Sequence, residues 1–255
     1  STGSYAYLSV EERTRVAKLS VESAAGVPVV VGIGALRTRD VLANAEHAQQ
    51  AGAGGLLLAP VSYQKLTDDD VFNLFSTVSR AISVPLCVYD NPGTTHFTFS
   101  DELHGRIAEL PQVRSIKIPP VSNHPDEANA RVARLRALIP EDVTIGISGD
   151  PAAATGLLAG CDAWYSVIGG LYPELALALT RAAQAGDTEE TQARSDALAP
   201  LWALYRDYGG SLRVVATMAE LTGRVSAPCL PQPLNTLQGE ARQQVAAVIE
   251  TLGLH

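Results

Sequence analysis

The chain has 255 residues, 46% of them hydrophobic and 18% charged, and carries a formal net charge of −8. That balance supplies a sizeable core and excludes nucleic acid or an anionic membrane as a general partner. The longest apolar stretch, residues 24–36, is broken by Gly26, Pro28, Gly32 and Gly34, which excludes it as a membrane span.

Strand-like and helical segments alternate along the chain. Ser9-x-x-Glu12 is a capping box, in which a hydroxyl and a carboxylate satisfy the free amides of a helix start. It predicts a helix running to about Ser23. Strands are predicted over Pro28–Gly34, Gly55–Pro60, Pro85–Tyr89, Val113–Ile118, Val143–Ser148 and Asp162–Ile168. Their starts lie mostly 27–30 residues apart, the spacing of repeated βα units with parallel strands. Ser100 opens a helix with Leu103, Ile107 and Leu110 on one face, and Gly52, Gly160 and Gly186 stand where helices should stop. From Pro173 onward every segment reads as helical. The expected organisation is an α/β barrel over residues 1–172 and a helical region packed on it over residues 173–255.

The two faces of the strands differ. One parity is bulky: Val29, Val31 and Ile33; Ile116 and Ile118; Val143, Ile145 and Ile147. The other is small or polar: Gly32 and Gly34; Cys87 and Tyr89; Ser115 and Lys117; Thr144, Gly146 and Ser148. An open doubly wound sheet would be bulky on both faces. In a TIM-type (β/α)8 barrel the bulky face lies under the helices, and the polar face lines the lumen, whose C-terminal end carries the active site. Such a barrel closes with eight strands, and six are visible. The sequence analysis therefore expects two strands, about 45 residues, to precede the present numbering.

Lys117 stands out in this setting. The basic residues are 16 Arg and only three Lys, namely Lys18, Lys65 and Lys117. Arg stays protonated in proteins, whereas a desolvated Lys can lose its proton and act as a nucleophile. Lys117 sits in the apolar run Ser115-Ile116-Lys117-Ile118, with Tyr89 ending the preceding strand on the same parity. Cys87, Cys161 and Cys229 have no paired spacing and read as reduced thiols of a cytoplasmic protein. His47, His96, His104 and His124 lack metal-ligand spacing, and Arg37 replaces the third Gly of a dinucleotide loop begun at Gly32 and Gly34. The expectation is an enzyme with no metal and no cofactor.

Four motifs in order, Ser1-Thr2-Gly3, Tyr89-Asp90-Asn91-Pro92, Ile116-Lys117 and Ser148-Gly149-Asp150, resemble the pyruvate-dependent class I aldolases of the dihydrodipicolinate synthase and N-acetylneuraminate lyase family. The likeness runs over essentially the whole chain. It implies that Lys117 forms a Schiff base with a 2-keto acid, that Tyr89 shuttles protons with Thr2 as a relay, and that Ser1 and Thr2 hold the keto-acid carboxylate. It further implies a backbone carbonyl from Tyr165 beside the pocket and, through a one-residue shift, a subunit-interface relay at Tyr63. It also implies a homo-oligomer, a dimer or tetramer.

The second-substrate half departs from the family. Dihydrodipicolinate synthases carry an Arg for the aldehyde's carboxylate where this chain has Thr94. Bidentate recognition is lost there. The leading reading is a lyase joining or cleaving a 2-keto acid and an aldehyde. A dehydratase or aldolase of 2-keto-3-deoxy sugar acids, true 4-hydroxy-tetrahydrodipicolinate synthase (disfavoured by Thr94), and a catalytically silent keto-acid-binding barrel stand beside it.

Overall fold

The structure, a computed structural model, describes residues 3–254. Ser1 and Thr2 lie outside the described residues. Six parallel strands form one sheet in chain order: β1 (Val30–Gly32), β2 (Gly55–Leu58), β3 (Leu86–Tyr89), β4 (Val113–Ile118), β5 (Thr144–Ile147) and β6 (Ala163–Trp164). Parallel neighbours need a crossover, and helices supply it here: α1 (Val10–Ser23) leads in, followed by α2 (Thr38–Gln50), α3 (Asp68–Ala81), α4 (Pro92–Thr95), α5 (Asp101–Ala108), α6 (Pro125–Arg136) and α7 (Ala153–Leu158). Beyond β6 follow α8 (Pro173–Gln184), α9 (Thr188–Ala197), α10 (Ala199–Asp207), α11 (Ser211–Leu221) and α12 (Gly239–Leu252).

Local signals explain these boundaries. Ser9 and Glu12 form the reciprocal capping box, Ser9 Oγ accepting from the Glu12 amide and the Glu12 carboxylate from the Ser9 amide. Ser100 accepts from the Leu103 amide at the start of α5. Gly52, Gly160 and Gly186 take φ of 90°, 98° and 74°, a left-handed geometry that stops a helix at little cost to glycine.

The sheet is strongly curled. Tyr165, just past β6, places its hydroxyl 3.1 Å from Cys87 Sγ on β3. Three strand spacings separate those strands, about 14 Å on a flat sheet, which no tyrosine side chain spans. Curling also separates the faces as the parity requires: Ile116, Ile118, Ile145 and Ile147 are essentially inaccessible beneath the helices. Each such side chain contributes roughly 1.5–3 kcal/mol by leaving water. Helix α7 packs so closely on β5 that a Cβ on Gly156 would fall 2.4 Å from Ile147 Cγ1. A second apolar cluster joins Ile168 and Tyr172, ahead of α8, to Leu201, Val214, Met218 and Val245 of α10, α11 and α12, while Leu179 of α8 still belongs to the first.

All the strands but β4 are shorter than expected, β1 and β6 the most. The sequence predicts Asp162–Ile168, yet β6 ends at Trp164 and Ile168–Gly170 forms a 3-10 turn. The buried Asp150 carboxylate accepts from the amides of Val167 and Ile168 at 2.9 and 2.8 Å, drawing them out of the ladder.

Candidate active site

Two neighbouring strands build the centre of the site. Tyr89, the last residue of β3, pairs in register with Lys117 on β4. Adjacent strands lie about 4.8 Å apart, and side chains at paired positions point to the same face. Lys117 Nζ accordingly stands 4.4 Å from the centroid of the Tyr89 ring. Tyr89 is buried and Lys117 half-buried. Burial is the main influence on the Lys117 amine and pushes its pKa below the ordinary lysine value. Tyr89, Cys87 and Asp150 pull the other way.

The turn after β3 braces this pair. The Asp90 amide donates to the Lys117 carbonyl at 3.0 Å, continuing the ladder past Tyr89. The Asn91 side-chain amide donates to the Tyr89 hydroxyl at 2.9 Å. The amides of Thr94 and Thr95 then bond back to the Asn91 carbonyl, which folds Pro92–Thr95 into a short helix and leaves Thr94 exposed upon it.

Tyr165 enters from the far side. Its amide donates to the Ile147 carbonyl at 2.9 Å, but its side chain folds into the lumen. The hydroxyl meets Ser115 Oγ at 2.7 Å and Cys87 Sγ at 3.1 Å. The ring centroid lies 5.6 Å from Lys117 Nζ. Cys87 and Ser115 are themselves register partners, one layer below Tyr89 and Lys117. Burial raises the pKa of both the Tyr165 phenol and the Cys87 thiol, so both stay protonated at neutral pH.

Asp150 stands at the rim after β5. Burial raises its carboxyl pKa, against the bonds it accepts from Val167, Ile168 and the Trp164 indole. Burial, with Asp150 as the secondary cause, raises the Tyr205 phenol's pKa. A cavity of about 270 Å³ opens beside Tyr89 between α1 and the β1 edge, with Tyr5, Arg13 and Gly32 in its wall. Arg13 stacks over the Tyr5 ring and donates to the carbonyls of Gly32 and Gly34 at 2.8 and 3.0 Å.

Of the residues singled out from sequence, Lys117, Tyr89 and Tyr165 converge. Thr94 lies on the turn above them, and Tyr63 projects outward, 89% exposed. Sequence reasoning missed Asn91 and Tyr5 as neighbours of Tyr89. Asn91 lay within the quoted Tyr-Asp-Asn-Pro motif, and its position two residues past Tyr89 on a turn was the available signal.

A parallel curled sheet with a lysine and a tyrosine on adjacent strands matches known proteins. The sequence model of the Dihydrodipicolinate synthetase family matches residues 1–252. The chain belongs to this family. Dihydrodipicolinate synthase from Agrobacterium tumefaciens superposes with a TM-score of 0.93 at 43% identity, covering 98% of this chain and 84% of that one. The 4-hydroxy-tetrahydrodipicolinate synthase of Anaplasma marginale is 32% identical over 257 residues, 100% of this chain and 82% of that one. That of Methylococcus capsulatus is 33% identical over 197 residues, 76% of this chain and 65% of the other's length. Membership of the dihydrodipicolinate synthetase family places the chain among TIM-barrel lyases of the class I aldolase type, which act on pyruvate and an aldehyde.

Proposed function

We propose that this chain is a Schiff-base-forming lyase that joins or cleaves pyruvate, or a similar 2-keto acid, and an aldehyde. The register pairing of Lys117 with Tyr89, at 4.4 Å from amine to ring, carries the reading. The neutral amine attacks the keto carbon to give a carbinolamine. Loss of water then yields an iminium whose positive charge draws electrons from the methyl group. A methyl proton leaves, the enamine attacks the aldehyde carbon, and water releases the product and frees the amine. Tyr89, held by Asn91, moves protons between amine, carbinolamine and solvent.

Ser1 and Thr2 hold the keto-acid carboxylate in this reading, with Thr2 relaying to Tyr89 and the Tyr165 carbonyl facing the pocket. A homo-oligomer in which Tyr63 meets a second copy belongs to the same reading, by resemblance to the family. The three free thiols support a reducing, cytoplasmic setting. A 2-keto-3-deoxy sugar acid as natural substrate is the second reading. It is favoured by Thr94, which offers a hydroxyl where bidentate carboxylate recognition would need a guanidinium.

Borohydride reduction in the presence of pyruvate tests the reading. The expected result is a reduced pyruvate adduct on the peptide holding Lys117, absent from Lys117→Ala. An unmodified Lys117 in the folded wild-type protein would overturn it.

A further inference from the structure

We propose that Tyr165 is a positioning residue for Lys117, its ring sealing the lumen beneath the amine. This rests on the reading of Lys117 as the nucleophile. The place of the ring follows from an empty position on β5. Gly146 is the register partner of Lys117 on β5, so a side chain there would point into the lumen beside the amine. A Cβ on Gly146 would fall 2.2 Å from Tyr165 Cε2 and 2.6 Å from Cδ2. The Cδ2–Cε2 edge of the ring therefore fills the space beside the bare backbone of Gly146 that any other residue's side chain would claim.

Its far end is pinned as firmly. The Tyr165 hydroxyl reaches Ser115 Oγ at 2.7 Å and Cys87 Sγ at 3.1 Å, spanning from the end of β6 to β4 and β3. Together Cys87, Ser115 and Tyr165 make an uncharged layer directly below Tyr89 and Lys117. The polar atoms of this layer bond to one another, through the Tyr165 hydroxyl, and turn none of those bonds towards the amine. The ring thus keeps the amine dry from below and leaves it facing Tyr89 and the open end of the barrel.

Two influences of the ring oppose each other. Its face, 5.6 Å from Nζ, favours a cation, whereas the exclusion of water disfavours one. Burial is the larger cause at Lys117, so removing the ring should make the amine harder to deprotonate. The titratable groups facing the amine are Tyr89 and Cys87 on β3, Tyr165 past β6 and Asp150 in the turn after β5. All but Tyr165 are common to the variants below.

The test is the pH profile of pyruvate trapping on Lys117, read by borohydride reduction and intact mass. In Tyr165→Leu the midpoint should move up by about one pH unit as water enters. Gly146→Ala keeps the tyrosine but displaces its ring, and should shift the midpoint in the same direction. Tyr165→Phe retains a ring over Gly146 and should restore a profile close to that of the wild type. Wild-type midpoints in both Tyr165→Leu and Gly146→Ala would overturn the proposal, as would a shift in Tyr165→Phe as large as in Tyr165→Leu. Should Gly146→Ala fail to fold, the Leu and Phe pair still decides. Absence of any adduct in the wild type would instead remove the reading of Lys117 itself.

Discussion

His104 and Asp90 form a pair sealed inside the protein, Nε2 standing 3.3 Å from Oδ2 with the side chains 0% and 5% exposed. The imidazole stacks on Phe99 at 4.9 Å between centroids and 4° between planes. Asp90 also donates its amide to the Lys117 carbonyl, so this pair ties the two strands of the site to helix α5. Removing the imidazole strands a carboxylate away from water. His104→Ala should therefore lose about 3–5 kcal/mol of stability, read as a lower urea midpoint. Asp90→Asn, which keeps the side chain's volume and removes its charge, should lose less. An unchanged midpoint in His104→Ala would show that the pair braces nothing.

A buried amine carries a stability cost whose sign can be worked out. The folded state lowers the Lys117 pKa below 10.5, so over a window below that value the unfolded chain binds more protons than the native one. Stability then rises with pH through that window. The cost is full below the folded pKa and vanishes above the unfolded one. Lys117→Met keeps an apolar stem without the amine. It should unfold at a higher denaturant concentration than the wild type at neutral pH, with the gap closing as pH approaches the ordinary lysine value. A gap that widens with rising pH would contradict a depressed Lys117 pKa.

The strands were legible wherever alternation was clean. Val113–Ile118 is a strand over its whole predicted length: Ile116 and Ile118 are buried beneath the helices, Ser115 and Lys117 face the lumen, and a register irregularity opposite Leu86 and Cys87 lets Val113, of the lumen parity, be buried as well. The segment Asp162–Ile168 misled because its apolar content resembles a strand, while the acceptor that diverts it, Asp150, lies at least 12 residues earlier in sequence. Lys117 and Tyr89 were visible as parity partners. The ring of Tyr165 was not: its place depends on the absence of a side chain at Gly146, a contact between residues 19 positions apart that no periodicity encodes. His104 lies beside the expected apolar face of α5, and only its fold neighbour Asp90 explains why it is wholly buried.

Thr94 offers the sharpest question about the second substrate. It is exposed on the short helix that begins three residues past Tyr89, at the C-terminal end of the strands where barrel sites open. A hydroxyl there can give one hydrogen bond to a carboxylate, whereas a guanidinium gives two with charge assistance. Aspartate semialdehyde carries such a carboxylate, so the wild type should turn it over poorly with pyruvate. Thr94→Arg should raise kcat/KM for that aldehyde by roughly 10–100-fold, the worth of about 1.5–3 kcal/mol from a charged hydrogen bond. Trapping of pyruvate alone on Lys117 should stay as in the wild type, since the keto-acid half is untouched. Efficient wild-type turnover of the semialdehyde, or no gain in Thr94→Arg, would show that carboxylate recognition lies elsewhere on the rim.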